Sequence, residues 1–165
     1  MLEINNLTNF CLDNKLFTGI AKKVLKGENK GTKTVSLAFV SKAEIKKLNK
    51  KFRKKNKPTD VLSFELSAEG GPAFGGKGED YLGEIVICPE VVKENSERHG
   101  VSVKKEMMKV FAHGILHLCG YDHPDEVEDL RQESRVFGPR QRRDEKSKKE
   151  AGVMEEKERL YLSKI

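Results

Sequence analysis

The stretch HGILHLCGYDH, residues 113–123, sets histidines at its first, fifth and eleventh places and a glycine at its eighth. Histidines at i and i+4 share one face of an α-helix, about 6 Å apart along its axis, so His113 and His117 can turn both imidazoles toward one ion. Gly120 can take the left-handed conformation that ends the helix, and Tyr121 and Asp122 supply the length to bring His123 back beside the other two. Three neutral imidazoles leave one position of a tetrahedral Zn²⁺ open, as in catalytic sites, whereas a structural site takes four protein ligands. Cys119, the nearest further donor, is two residues from His117 and points to another side of the helix. The spacing therefore predicts a single Zn²⁺ on His113, His117 and His123.

Zinc proteases use the same spacing as H-E-x-x-H-x-x-G-x-x-H, with a Glu after the first His as general base. Gly114 occupies that place here. Peptide hydrolysis would lack its carboxylate, so a different substrate is expected.

Upstream of the histidines, the stripe Val103, Met107, Val110, Phe111 and Leu118 predicts a helix from Ser102 to Gly120. Asp13 caps an earlier one whose stripe is Leu16, Phe17, Ile20 and Val24, ending at Gly27. TVSLAFV, DVLSFEL and GEIVIC read as strands. Ser41, with Glu44 three residues on, opens a helix turning Ile45, Leu48 and Phe52 toward the core. Pro89 suits the first turn of a helix that Gly100 stops, with His99 at its C-terminal end. Pro124 to Phe137 is a further candidate helix, residues 138–151 read as a disordered charged insertion, and VMEEKERLYLSKI reads as a terminal helix. The alternation predicts one α+β domain over residues 1–165, a small mixed sheet packed with several helices.

Thirty-two Lys and Arg against 26 Asp and Glu give a net charge of +6, which favours a polyanionic partner. Lys42 to Lys57 carries nine Lys or Arg against the single acid Glu44. Arg53 stands out there, because a guanidinium pairs with two phosphate oxygens at once. GPAFGGKG, residues 71–78, matches a phosphate loop only in part: Gly78 replaces the Mg²⁺-holding Ser or Thr, and a strand follows where a helix is needed. No nucleotide cofactor is expected. Three cysteines without a CxxC pair, no secretory leader and no long apolar run predict a cytoplasmic protein without membrane contact.

LNKKFRKKNKPTDVLSFE, LGEIVI and HGILHLCGYDH, in this order, resemble the YbeY family of bacterial endoribonucleases, and the likeness resumes at VMEEKE. The resemblance implies a metal-dependent, single-strand-specific endoribonuclease acting in small-subunit rRNA 3′-end maturation and ribosome quality control. Its partners would be single-stranded RNA, small-subunit rRNA and the ribosome. It carries the zinc ligands over to His113, His117 and His123, and the arginine of the catalytic cavity to Arg53. Glu65 stands where a proline commonly follows LSF, and Glu84 where the family has Asp; both bear on loop geometry. An insertion spans about residues 124–152. Zn²⁺ is then expected to generate hydroxide or bind a phosphoryl oxygen while Arg53 pairs with the phosphate, and Gly114 to leave room for substrate. Asp122 is either a partner orienting an imidazole or a turn residue. A metallopeptidase and a non-catalytic rRNA-binding assembly factor with structural zinc are the rival classes.

Overall fold

The computed structural model describes residues 1–11, 13–65, 80–121 and 141–163. The Gly-rich stretch 71–78, the candidate helix 124–137, Asp122 and His123 fall outside them.

Strands β1 (Leu2–Asn6), β2 (Thr34–Phe39), β3 (Val61–Glu65) and β4 (Tyr81–Ile87) form one sheet in the order β1-β2-β4-β3. β1 and β4 each pair parallel with β2, whereas β3 runs antiparallel to β4. Side chains alternate across a strand, and here both faces are covered. Val35, Leu37, Phe39, Ile85 and Ile87 share the larger core with α1 (Asn14–Gly27) and α4 (Val103–Leu118). Ala38, Val40, Leu62, Val86 and Cys88 share the smaller one with Ile45 and Leu48 of α2 (Lys42–Arg53). Helix α3 (Pro89–His99) follows β4 directly, and α5 (Gln141–Leu162) closes the chain. The molecule is thus the α+β arrangement that the sequence predicts. Among the described residues no helix is long and apolar enough to cross a membrane.

The caps match their sequence signals. Asp13 Oδ1 accepts from the backbone N–H groups of Lys15 and Leu16 at 3.1 and 3.2 Å, and Ser41 Oγ accepts from that of Glu44 at 3.3 Å. These bonds satisfy donors that a helix start leaves open. Gly100 ends α3 in the left-handed conformation, with φ +66°.

Three placements follow from the structure. Phe52 does not enter the core: it is 38% exposed and packs edge-on against Phe64 of the edge strand β3, 4.9 Å between ring centroids. Buried Asn49 takes the inward place, its amide donating to Lys57 O at 2.7 Å and fastening the turn toward β3. Of the charged stretch 138–151, residues 141–151 lie within α5 and the first three fall outside the described residues. Gln, Arg, Lys, Glu and Ala are strong helix formers, so charge there does not forbid a helix. Glu84 lies inside β4 at 1% exposure, away from any loop.

Where α1 ends, Glu28 ties three segments together. Its carboxylate accepts from Tyr161 Oη at 2.6 Å, Lys157 Nζ at 2.7 Å and Tyr121 Oη at 2.8 Å. Gly27 makes room for this, since a Cβ there would collide with the Tyr161 ring. Burial alone would raise the Glu28 carboxyl, but the bonds from Lys157, Tyr161 and Tyr121 outweigh it and hold it below its ordinary 4.5. A carboxyl lowered on folding stabilises the fold above its unfolded value and loses that contribution as pH falls through the folded one. Glu28→Gln is therefore less stable than wild type at pH 7, and the gap in urea midpoints closes as the pH is lowered through the acid range below 4.5. An equal gap at both ends would contradict the network.

A second contact sets how closely α4 lies on the sheet. A Cβ at Gly114 would meet Ile85 at 3.0 Å and Ser63 Oγ at 3.2 Å. At Gly19, also helical, a Cβ would meet nothing within 4 Å. Alanine gains about 1 kcal/mol of helix propensity over glycine, but overpacking a core costs about 1–3 kcal/mol. Gly19→Ala should thus raise the melting temperature and Gly114→Ala lower it; a rise in both would show that α4 has slack.

Candidate functional site

Helix α4 starts at Ser102, whose Oγ accepts from Lys105 N at 3.2 Å, and buries most of its circumference. Met107, Val110, Phe111, Ile115, Leu116 and Leu118 face the larger core. His113 and His117 remain on the partly exposed strip. The helix ends where the motif predicts. Gly120 has φ +97°, its N–H donates to His117 O at 2.9 Å, and Tyr121 N–H donates to Leu116 O at 3.1 Å. These two bonds form a Schellman cap, which turns the chain back along the helix. Tyr121 is then held by Glu28 at 2.8 Å, and Lys157 Nζ lies 5.1 Å from the centre of its ring. Tyr121, the last described residue before His123, is thereby anchored on both α4 and α1.

The two imidazoles meet edge to face, with ring centroids 4.5 Å apart and an interplanar angle of 81°. Their Nε2 atoms are 3.0 Å apart. Zinc–nitrogen bonds of about 2.0–2.1 Å at tetrahedral angles separate two ligand nitrogens by about 3.3 Å, so a small opening of this pair fits the ion. His113 Nδ1 lies 2.7 Å from Glu158 Oε1. An ionised carboxylate there would accept from a proton-bearing Nδ1 and leave Nε2 as the metal-binding nitrogen. Among the described residues no group of three candidate ligands assembles; the third, His123, lies beyond them.

Arg53, the last residue of α2, lines a cavity of about 170 Å³ together with His113, His117, Ser63 and Glu65. The basic helix and the histidine helix therefore converge on one space, separated in sequence but joined across β3. On its other side His113 faces a wider cleft of about 1020 Å³, whose wall includes Glu158 and Arg159 of α5.

Gly114 lies where α4 comes closest to the sheet. A Cβ there would press against Ile85 and Ser63 of the sheet, and Ser63 Oγ donates to its carbonyl at 3.4 Å. Cys119 packs against the core, where burial, reinforced by the charge of Glu28, pushes its thiol up to about 11. His99 lies outside the histidine pair, its Nδ1 3.0 Å from Glu106 Oε1.

Sequence reasoning missed Glu158 and Glu28. For Glu158 a signal existed: it sits on the buried stripe Met154, Glu158, Tyr161 of α5, and a carboxylate on an apolar stripe needs a partner. Glu28 lies one residue past a helix end, where acids are ordinary, and nothing local marks it.

The family model described as endoribonuclease YbeY matches residues 3–136. The endoribonuclease YbeY of Pelotomaculum thermopropionicum is 42% identical over 127 residues, which cover 74% of this chain and 83% of that one. That of Staphylococcus carnosus is 38% identical over 136 residues, covering 82% and 84%. A solution structure of a Thermotoga maritima protein, 31% identical, covers 100% of this chain and 96% of that one, with a TM-score of 0.48. With a family model spanning the chain from β1 past the histidine motif, and relatives of that name matching most of both lengths, this protein belongs to the YbeY family of endoribonucleases.

Proposed function

We propose that the chain cuts single-stranded RNA at a zinc centre formed by His113, His117 and His123, in the cytoplasm, during small-subunit rRNA 3′-end maturation and ribosome quality control. The observation that carries this reading is the shared cavity of Arg53, His113 and His117. A phosphodiester arrives already charged, so its cleavage demands that growing negative charge be met by fixed positive groups.

Each residue has a part. Arg53 pairs with the non-bridging oxygens of the scissile phosphate, where a planar fork matches two acceptors at once. His113 and His117 present Nε2 to the ion, and the cap at Gly120 returns the chain so that His123 can join them. A zinc ion held there supplies Lewis-acid stabilisation of phosphoryl charge. Lys46, Lys47, Lys50, Lys51 and Lys54 lie exposed on or beside α2 and draw the RNA backbone toward the cavity mouth. The cavity is small, which suits an unpaired strand better than a duplex. A peptidase reading has against it Gly114, which puts no carboxylate next to the first histidine.

The reading is tested on a single-stranded rRNA fragment. Arg53→Ala should lower kcat by about 10²–10³-fold, the usual effect of removing one charge-stabilising donor, and Arg53→Lys should restore part of it. His113→Ala should abolish cleavage and, in parallel, zinc retention. Cleavage undiminished in these variants would refute the assignment.

A further inference from the structure

We propose that Glu158 is the positioning residue of the metal centre: its carboxylate fixes His113 as the Nδ1–H tautomer and so aims the Nε2 lone pair at the ion. The inference rests on the zinc reading above and adds to it a residue from a helix that the histidine motif does not contain.

A neutral imidazole carries one proton, and the hydrogen bond at one nitrogen decides which nitrogen is left to bind metal. His113 Nδ1 lies 2.7 Å from Glu158 Oε1. The Glu158 side chain is only 8% exposed and that of His113 25%, so water competes little for either. The placement is selective, because Glu158 shares its helix face with buried Met154 and Tyr161, where an apolar residue would pack at no electrostatic cost. A buried carboxylate held against a single ring nitrogen is the arrangement that orients metal-binding histidines elsewhere.

The next residue ties the same helix to the other arm of the centre. Lys157 donates to Glu28 at 2.7 Å, and Glu28 accepts from Tyr121, on the route to His123, at 2.8 Å. Lys23 Nζ donates to Tyr161 O and pins the helix end. Docking of α5 therefore braces both sides of the site, with Glu158 touching the ligand itself.

The test uses full-length protein, metal-free and zinc-titrated, with Glu158→Gln and Glu158→Leu. Glutamine keeps an acceptor for Nδ1–H and loses the charge, whereas leucine keeps the bulk and loses both. Long-range ¹H–¹⁵N correlation of the metal-free protein should show His113 as the Nδ1–H tautomer in wild type and Glu158→Gln, and no longer in Glu158→Leu. Competition with a chromophoric chelator should show zinc affinity falling by about 10–100-fold in Glu158→Leu and by less in Glu158→Gln. A merely structural role would lower the melting temperature without moving the tautomer. Zinc affinity equal to wild type in either variant, or an Nε2–H His113 in wild type, overturns the proposal; should Glu158→Leu fail to fold, Glu158→Gln and the wild-type tautomer still decide. Wild-type protein whose zinc affinity depends on Glu158 but which leaves RNA uncut would count against the nuclease mechanism alone.

Discussion

Helix α4 approaches the sheet so closely at Gly114 that a methyl group there would press on Ile85 and Ser63, and the candidate site depends on that approach. With glycine as the spacer, the helix sinks its apolar residues into the larger core and leaves the strip bearing His113 and His117 over the edge of β3. Arg53 arrives at the same edge from α2, on the opposite face of the sheet. Tightly packed interiors tolerate little slack, so the depth of α4 also sets the distance between the imidazoles and the guanidinium.

Two buried carboxylates complete the frame. Glu28 gathers Tyr121, Lys157 and Tyr161, and Glu158 holds His113. Neither is surface decoration, since the Glu28 side chain is 7% exposed and that of Glu158 8%. Burial of such groups is costly unless they are paired, and both are paired with residues that lead to the histidines. The C-terminal helix thus supplies the carboxylate that faces His113 and part of the network that holds Tyr121.

Much of the fold could be read directly. Asp13, Ser41, Pro89 and Gly100 punctuate helices by local chemistry, and local chemistry is what a sequence displays. The HxxxH pair and Gly120 were legible for the same reason, and the order of the basic, strand and histidine motifs pointed to the family. What escaped was tertiary. Phe52 fits an inward periodicity but meets the edge strand, and the need for glycine at 114 comes from a strand about thirty residues earlier. Glu158 and Glu28 act across the chain, at separations where spacing carries no information.

Zinc K-edge X-ray absorption on the purified, metal-loaded protein tests the centre most directly. Three imidazole nitrogens near 2.0–2.1 Å with a single further oxygen are the expected coordination sphere. A sulfur scatterer from Cys119, a fourth imidazole from His99, or an ion surrounded only by oxygen would contradict it.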